Sequence, residues 1–201
     1  MQQETILGKR RKSQRFVGRG GDKLDGALAD LDVDVGEQTA ADLGANVGGF
    51  TDCLLQCGAR RVYAVDTGYG VLDWRLRQDE RVAVLERTNA LHVRLPEPVD
   101  LVVADVGWTP LGHLLPRALT LLKDTGFAVV LLKPQYEADP LERRGGVVYP
   151  ECVAGVVARV VKGLAEAGIQ VKKHVPSRIL GSGGNQEFFL LIEVFCPVKS
   201  S

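Results

Sequence analysis

The stretch Ala41-Asp-Leu-Gly-Ala-Asn-Val-Gly-Gly-Phe50 decides the fold of this chain, because it has the pattern of a strand that turns through glycines into a helix. A strand is predicted over residues 39–43, and a helix over residues 48–56 that Gly58 stops. Glycine in such a turn lets the backbone approach a ligand closely, and the first turn of the helix offers free N–H groups. The stretch therefore predicts a ligand-binding loop at the carboxyl end of a strand.

Strands and helices alternate along the rest of the chain. Further strands are predicted over residues 61–65, 82–85, 99–104, 126–132, 169–174 and 188–195, and further helices over residues 22–31, 70–77, 110–122 and 152–167. This alternation indicates an α/β fold with a mostly parallel sheet and helices on both faces. Only the loop 176–186 joins the last two strands, which is too short for a crossover, so we expect the last strand to run antiparallel. Seven strands with an antiparallel last strand are typical of the Rossmann-like sheet of class I methyltransferases.

Charge is distributed unevenly along the chain. Lys plus Arg and Asp plus Glu each number 25, so the formal net charge is zero, which excludes a histone-like or acidic-tail protein. Residues 1–23 nevertheless carry seven bases and two acids. We interpret residues 1–18 as a flexible basic arm suited to phosphate contacts, with a merely solvated tail as the alternative, and residues 19–199 as one domain.

Neither a membrane segment nor a metal site is expected. The longest apolar run near the middle, residues 127–132, is far shorter than the roughly 20 residues that span a bilayer, and no apolar signal region follows the basic start. We therefore expect a cytoplasmic protein without a membrane partner. The cysteines at positions 53, 57, 152 and 196 and the three histidines lack metal-ligand spacing, which favours buried thiols and no metal.

Asp66 strengthens the prediction of a nucleotide-type site. It ends the second predicted strand, 22 residues after Gly44, where a carboxylate can accept both hydroxyls of an adenosine ribose. The loop is not the G-x-G-x-x-G of a pyrophosphate cradle, because Asn46 stands where the second glycine is required. NAD and S-adenosyl-L-methionine both remain possible ligands at this point. The structural alternative is a helix cap at Asp66 with glycines that only serve packing.

Four charged residues fall at the ends of predicted elements. Asp105 and Lys133 each follow an apolar strand, Glu187 precedes the last strand, and Lys23 lies near the start of the first helix. Ligands of open α/β sheets bind outside the carboxyl ends of the strands, so we expect the four side chains to meet there. A partly buried lysine flanked by acids can serve as a base, whereas a structural ion pair is the alternative for each residue taken alone.

With these residues assembled, the chain resembles the TlyA-type (hemolysin A) branch of the FtsJ-like RNA 2′-O-methyltransferases. The resemblance runs from about residue 17 to residue 195, in order and without large gaps. The stretches that carry it are Arg19-Gly-Gly-Asp-Lys-Leu24, Gly48-Gly-Phe-Thr-Asp-Cys-Leu-Leu-Gln56, Tyr63-Ala-Val-Asp-Thr-Gly-Tyr-Gly70, Glu86-Arg-Thr-Asn89, Leu132-Lys-Pro-Gln-Tyr-Glu137, Gly145-Gly-Val-Val148 and Gly184-Asn-Gln-Glu187.

The resemblance implies methyl transfer from S-adenosyl-L-methionine to a ribose 2′-hydroxyl of ribosomal RNA, in the free RNA or in ribosomal subunits. The family's Lys-Asp-Lys-Glu tetrad corresponds to Lys23, Asp105, Lys133 and Glu187. Lys133 would deprotonate or steer the hydroxyl and Asp105 would fix Lys133, while Lys23 and Glu187 would orient the ribose. The implied cofactor-binding residues are Gly44, Ala45, Asn46, Gly48, Gly49, Phe50, Asp66, Asn89 and Asp105.

The chain departs from the family pattern in two motifs and in its N-terminal region. Asn46-Val47 replaces the usual Ser-Thr, and Gly107-Trp108 replaces the usual Ser-Phe after Asp105. We expect the basic arm to stand in place of the S4-type RNA-binding module that normally precedes the methyltransferase domain. The alternatives to an RNA methyltransferase are a non-catalytic RNA or nucleotide binder, a membrane-damaging hemolysin, and a nicotinamide oxidoreductase.

Two glycine-rich connections are candidates for lids over the site. Residues 134–149 are long for a connection and carry Arg143 and Arg144 before a pair of glycines. We predict that this segment becomes ordered on RNA binding. Residues 176–186, with three glycines, are the second candidate.

Overall fold

A seven-stranded sheet forms the centre of the protein. The computed structural model describes residues 15–181 and 183–194. The strands are β1 (Thr39–Leu43), β2 (Arg61–Val65), β3 (Val82–Leu85), β4 (Val99–Ala104), β5 (Leu122–Leu132), β6 (Arg143–Arg144), β7 (Val147–Val148), β8 (Val171–Pro176) and β9 (Phe188–Glu193). The helices are α1 (Arg19–Leu31), α2 (Gly49–Gln56), α3 (Trp74–Arg77), α4 (Leu111–Ala118), α5 (Pro134–Glu137) and α6 (Pro150–Glu166).

The sheet has the predicted topology. Its strand order is β3-β2-β1-β4-β5-β9-β8, with β6 and β7 forming a separate hairpin. Strands β1 to β5 pair in parallel, whereas β9 runs antiparallel to both β5 and β8. The antiparallel last strand is therefore confirmed.

Helices cover both faces of the sheet, because the central strands alternate apolar side chains between two cores. All five residues of β1 are buried, as expected for a parallel strand that is covered on both sides. Ala40 of β1 packs with α1, α2 and α3 on one face, and Ala41 packs with α4 and α6 on the other. This arrangement leaves the carboxyl ends of β1, β2, β4 and β5 at one open edge of the sheet.

Several predicted element ends differ from the structure. The helix predicted over residues 70–77 is only α3, since the Asp73 side chain caps it by accepting the Arg75 N–H. The helix predicted over residues 110–122 ends at Ala118 and continues as a 3-10 turn, Leu119–Leu121. Strand β5 is longer than predicted, because it begins at Leu122 rather than at residue 126.

The N-terminal boundary of the domain lies before the predicted residue 19. Phe16 is 2% exposed within the core that α1 and α2 share. The Val17 N–H donates to Asp52 Oδ2 at 2.8 Å. The prediction of a flexible arm up to residue 18 is therefore wrong for residues 15–18, because they pack on α2; the rest of the predicted arm, and Cys196, lie outside the described residues.

The connection predicted as a lid contains regular structure. After α5 it forms a 3-10 turn, Pro140–Glu142, and then the hairpin of β6 and β7. The Asn185 side chain holds this hairpin, because its Oδ1 accepts the Val148 N–H and its Nδ2 donates to the Gly146 carbonyl, both at 2.9 Å. The two candidate lids are thus joined to each other, and ordering on RNA binding stays a prediction.

No helix among the described residues has the length and apolar character needed to cross a membrane.

Candidate active site

A pocket of about 690 Å³ opens at the carboxyl ends of the parallel strands. It is lined by the loop between β1 and α2, by residues at the ends of β2 and β4, and by Lys133. Besides Lys133, its lining comprises Gly18, Arg19, Gly20, Gly44, Ala45, Asn46, Val47, Gly49, Phe50, Val65, Asp66, Thr67, Thr88, Asn89, Ala90, Leu91, Asp105, Val106, Gly107, Trp108 and Thr109. Its volume and concave shape are typical of small-molecule and cofactor sites.

Only glycine fits at position 44, because of the backbone conformation there and the close approach of Asp105. Its backbone lies in the left-handed region with φ of +85°, and a Cβ there would lie 2.8 Å from the Asp105 carbonyl oxygen. The N–H groups of Gly44 and Ala45 both donate to the Val65 carbonyl, at 2.9 and 3.0 Å. These bonds turn the chain at the end of β2, and loop residues 44–47 line the pocket.

Gly48 is the exception among the predicted loop residues, because it does not line the pocket. Its φ is +98°, and a Cβ would lie 2.2 Å from Leu76 and 2.8 Å from Leu72. The glycine is therefore explained by packing against α3 rather than by a ligand. Gly49 and Phe50 begin α2, which no side chain caps, and both line the pocket.

Asp66 lies in the pocket wall with both carboxylate oxygens already oriented. Oδ2 accepts the Asn46 N–H at 2.8 Å, and Oδ1 accepts the Gly68 N–H at 2.7 Å. A carboxylate offers about four acceptor positions, so positions remain for two ligand hydroxyls. The side chain thus stabilises the loop and still presents an acceptor to the pocket.

Asn89 also lines the pocket, but its side chain is partly used within its own turn. Asn89 Oδ1 accepts the Leu91 N–H at 2.9 Å, while the side-chain NH₂ donates to no partner among the described residues.

The four predicted tetrad residues form two separate ion pairs. Lys133 Nζ lies 2.5 Å from Asp105 Oδ1, and both residues line the pocket. Lys23 Nζ lies 2.5 Å from Glu187 Oε2, and this pair is buried outside the pocket lining, with Lys23 9% exposed. Gln135, two residues after Lys133, contacts the buried pair, with its Nε2 3.4 Å from Glu187 Oε1.

Known proteins resemble this chain in sequence. Residues 16–193 match the family described as FtsJ-like methyltransferase. The chain belongs to the FtsJ-like methyltransferase family. It is similar to YqxC of Bacillus subtilis, a candidate rRNA methyltransferase, with 42% identity over 88% of this chain and 65% of that protein. It is also similar to TlyA of Mycobacterium tuberculosis, named a 16S/23S rRNA (cytidine-2′-O)-methyltransferase, with 41% identity over 87% of this chain and 67% of that protein.

Two solved structures extend the comparison. A candidate hemolysin from Streptococcus thermophilus has a TM-score of 0.86 and 37% identity, over 92% of this chain and 69% of that chain. A candidate S-adenosylmethionine-dependent methyltransferase from Listeria monocytogenes has a TM-score of 0.62 at 13% identity, over 88% of this chain and 99% of that chain, which shows the fold alone. The class I methyltransferase fold is thereby confirmed. This FtsJ-like chain spans about two thirds of the length of the curated relatives it matches.

The start of α1 contributes to this FtsJ-like site, although the predicted cofactor-binding residues did not include it. Gly18, Arg19 and Gly20 line the pocket, and Arg19 Nη2 donates to the Leu180 carbonyl at 2.9 Å. The close approach of the helices explains their position, since a Cβ on Gly49 would lie 2.8 Å from the Gly21 nitrogen. Consecutive glycines after Arg19 were the available signal.

The sequence identifies Trp108, which lines the pocket, only as a departure from the family pattern. It is 85% exposed, although its backbone has a φ of +64°, which is rare for a bulky residue. Its ring centroid lies 5.1 Å from that of Tyr136, and Lys133 Nζ lies 5.7 Å from the Tyr136 centroid. The two aromatic rings therefore border the Asp105–Lys133 pair.

Asp42 is a buried carboxyl beneath the loop that the sequence did not single out. It is 0% exposed, and its Oδ2 accepts the Thr51 hydroxyl at 2.7 Å. Its Oδ1 has no hydrogen-bond partner among the described residues. Burial raises the pKa of Asp42 to about 7, with smaller upward contributions from Asp105 and Asp66.

The cysteines of α2 lie beside α1 rather than at the pocket. The side chains of Asp25, Cys53 and Cys57 place one ligand atom each within 4.8 Å of one another. Arg15 already pairs with Asp25 at 2.7 Å, and burial raises the pKa of the Cys53 thiol, which disfavours the thiolate that a metal requires. The prediction of buried thiols is confirmed for Cys53, whereas Cys57 and Cys152 are only partly buried.

Proposed function

We propose that the protein transfers a methyl group from S-adenosylmethionine to the 2′-hydroxyl of a ribose in ribosomal RNA, with cytidine as the target, in the cytoplasm. The single observation that carries the proposal is the Asp105–Lys133 pair in the wall of a pocket that also presents Asp66. The names of the rRNA-modifying relatives support the choice of substrate.

The pocket has the features that the methyl donor requires. Asp66 can accept the two ribose hydroxyls, and the uncapped first turn of α2 offers N–H groups to the carboxylate of the methionine part. Residues 89–91 line the wall next to Asp66, where the adenine would lie. A side chain at position 44 would collide with the Asp105 backbone, so this part of the pocket lining requires glycine.

The proposed chemistry depends mainly on the placement of two reactants. The donor supplies a methyl group on a positively charged sulfur. The ribose 2′-oxygen would form a bond to the methyl carbon while the carbon–sulfur bond breaks and the sulfur leaves as a neutral thioether, and the hydroxyl proton would pass to the Asp105–Lys133 pair. Lys133 either takes this proton or steers the hydroxyl, and Asp105 holds the Lys133 ammonium or amine in place. Correct orientation alone can contribute about 7–11 kcal/mol to lowering such a barrier.

The surface around the pocket mouth suits RNA. Trp108 and Tyr136 present neighbouring rings beside Lys133, and unstacked bases of single-stranded RNA bind by stacking on such rings. The hairpin carries Arg143 and Arg144 on the same connection, and Arg144 is exposed to solvent. These residues would contact phosphates near the target nucleotide.

The proposal is tested with Lys133→Ala. Purified wild-type and variant proteins are incubated with radiolabelled donor and unmodified ribosomal RNA or subunits, and donor binding is measured by calorimetry. We expect the variant to bind the donor within about twofold of wild type and to lose at least about 100-fold in methyl transfer, within the range that one positioned acid–base group contributes. Mass spectrometry of the RNA then locates the methylated ribose.

The chain contains a matched control for this variant. Lys123 pairs with Asp100 at 2.7 Å and joins the same two strands, β4 and β5, at the opposite end of the sheet from the pocket. Lys123→Ala therefore removes a lysine–aspartate pair without touching the site, and we expect full transfer. A Lys133→Ala protein with normal methyl transfer would exclude the proposed role of the Asp105–Lys133 pair. A wild-type protein that binds RNA and donor without methyl transfer would favour a non-catalytic binding module.

A further inference from the structure

Glu137 joins the two segments that carry the proposed acid–base pair. Its Oε1 accepts the Leu111 N–H at 2.7 Å, across 26 residues of sequence. Leu111 is the first residue of α4, and the N-cap residue Pro110 provides no side-chain cap of its own. A carboxylate from α5 thus caps a neighbouring helix, where N–H groups lack partners and negative charge is favoured.

One end of this link is the loop 105–110. The loop begins at Asp105, whose N–H donates to the Leu43 carbonyl at 3.0 Å. Leu111, which directly follows the loop, is held by Glu137. Between these two points lies Trp108, with its left-handed backbone and its exposed ring. Because such a backbone is costly for a bulky residue and burial does not hold the ring, its position depends on how the loop ends are anchored.

The other end of the link is the single turn of α5. Lys133 is the N-cap residue of this turn and Glu137 is its last residue. The Tyr136 N–H donates to the Lys133 carbonyl at 2.9 Å, so the turn is bonded to the backbone of Lys133 itself. A displacement of Glu137 would therefore move Lys133 and Tyr136 together relative to Asp105 and Trp108.

The carboxyl of Glu137 is held in an unfavourable environment. Burial raises its pKa, and the Leu111 N–H and the nearby His113 oppose the rise. A half-buried acid that accepts a hydrogen bond from the first N–H of α4 fits a role in fixing that helix.

We propose that Glu137 is a positioning residue for methyl transfer, which keeps the Asp105–Trp108 loop and the Lys133–Tyr136 turn in register. This inference rests on the proposed function. Glu137 does not line the pocket and is not expected to touch either reactant. Its action is exerted through the two segments that it joins.

The test compares Glu137→Ala and Glu137→Gln in a Trp74→Phe background, in which Trp108 is the single remaining tryptophan of the chain. The measurements are the single-turnover methylation rate at saturating donor and RNA, donor affinity by calorimetry, thermal unfolding, and the fluorescence anisotropy of Trp108. Glu142 provides the control, because it lies on the same connection and pairs with Arg159 away from the pocket. Glu142→Ala should leave the methylation rate and the Trp108 anisotropy unchanged.

For Glu137→Ala we expect a methylation rate about 10- to 100-fold lower, as for a misplacement of about 1 Å. Donor affinity should stay within about twofold, and the Trp108 anisotropy should fall. Glu137→Gln keeps an oxygen that can accept the Leu111 N–H, so it should restore the rate to within about threefold of wild type.

Three results would overturn the inference. These are an unchanged Trp108 anisotropy in Glu137→Ala, a rate loss no larger than its unfolded fraction, or a Glu137→Gln protein as slow as Glu137→Ala. If Glu137→Ala does not fold, Glu137→Gln alone tests the inference. A Glu137→Gln rate more than about threefold below wild type, or a lower Trp108 anisotropy, would then overturn it. A wild-type protein without methyl transfer would instead refute the proposed function, and the Trp108 anisotropy would still report whether Glu137 holds the loop.

Discussion

The buried carboxyl of Asp42 makes folding stability depend on pH in a way that one substitution removes. Burial raises the pKa of Asp42 from 3.8 to about 7, whereas in the unfolded chain the carboxyl ionises near its ordinary value. Well below pH 3.8 both states are protonated, so the carboxyl makes no pH-dependent contribution to stability. As the pH rises towards 7, ionisation stabilises the unfolded chain alone, so stability is lost across this window and no further loss occurs above it.

The magnitude follows from the two pKa values. Each pKa unit corresponds to about 1.4 kcal/mol, so ionisation of Asp42 lowers the free energy of unfolding by about 4 kcal/mol at pH 8. At pH 5 the same relation gives about 2 kcal/mol, because only part of the window has been crossed. The cost of burying this carboxyl therefore grows by about 2–3 kcal/mol between pH 5 and pH 8.

Asp42→Asn removes the titration and keeps an oxygen for the Thr51 hydroxyl. The free energy of unfolding is measured by urea denaturation at pH 5 and pH 8 for the wild-type and variant proteins. We expect the variant to gain about 2–3 kcal/mol relative to wild type between these two pH values. A constant offset from the new amide cancels in this comparison, and Asp124→Asn, which removes one exposed carboxylate, is the control.

A difference between wild type and Asp42→Asn that stays the same at pH 5 and pH 8 would refute the reasoning. It would mean that the carboxyl ionises in the folded protein as it does in water. In that case water or a counter-charge reaches Oδ1, which has no partner among the described residues.

Three further predictions concern the site. Gly44→Ala should weaken donor binding at least about tenfold in calorimetry, because left-handed backbone costs about 1–2 kcal/mol and the new methyl group meets a carbonyl oxygen. Gly112→Ala, whose new methyl group points into open space, should leave donor binding unchanged. Asp66→Asn should weaken donor binding by about 10- to 100-fold in the same assay, since hydrogen bonds to a charged group contribute about 1.5–3 kcal/mol, and unchanged affinity would exclude its contact with the ribose. Asn185→Ala should speed trypsin cleavage at the hairpin arginines on the order of tenfold, because two hydrogen bonds to the hairpin are lost.

The sheet could be predicted from the sequence because its strands are buried on both faces. Such strands have continuous apolar runs, and the short connection before β9 leaves only an antiparallel pairing. The ends of the helices were harder to predict, because they depend on single side chains. The Asp73 cap shortened α3, and the packing of Phe16 and Val17 against α2 moved the start of the domain.

The site was predicted by residue type and position but not by its pairing. Sequence order places Asp105, Lys133 and Glu187 at strand ends, and strand ends meet at one edge of a sheet. It does not determine which way each side chain points, so the division into a pair that lines the pocket and a pair buried outside its lining appeared only in the structure. The role of Glu137 was hidden for the same reason, since its partner is a backbone N–H of another helix.

Helix α1 connects the two halves of the site, which explains why the N-terminal motif matters to the chemistry. Its start lines the pocket through Arg19 and Gly20, and one turn later Lys23 pairs with Glu187, 164 residues away in the sequence. Glycines at the α1–α2 contact allow this approach, since a Cβ on Gly49 would collide with the backbone of α1. A substitution at this contact would therefore disturb the pocket wall and the buried ion pair together, even though it changes no charged residue.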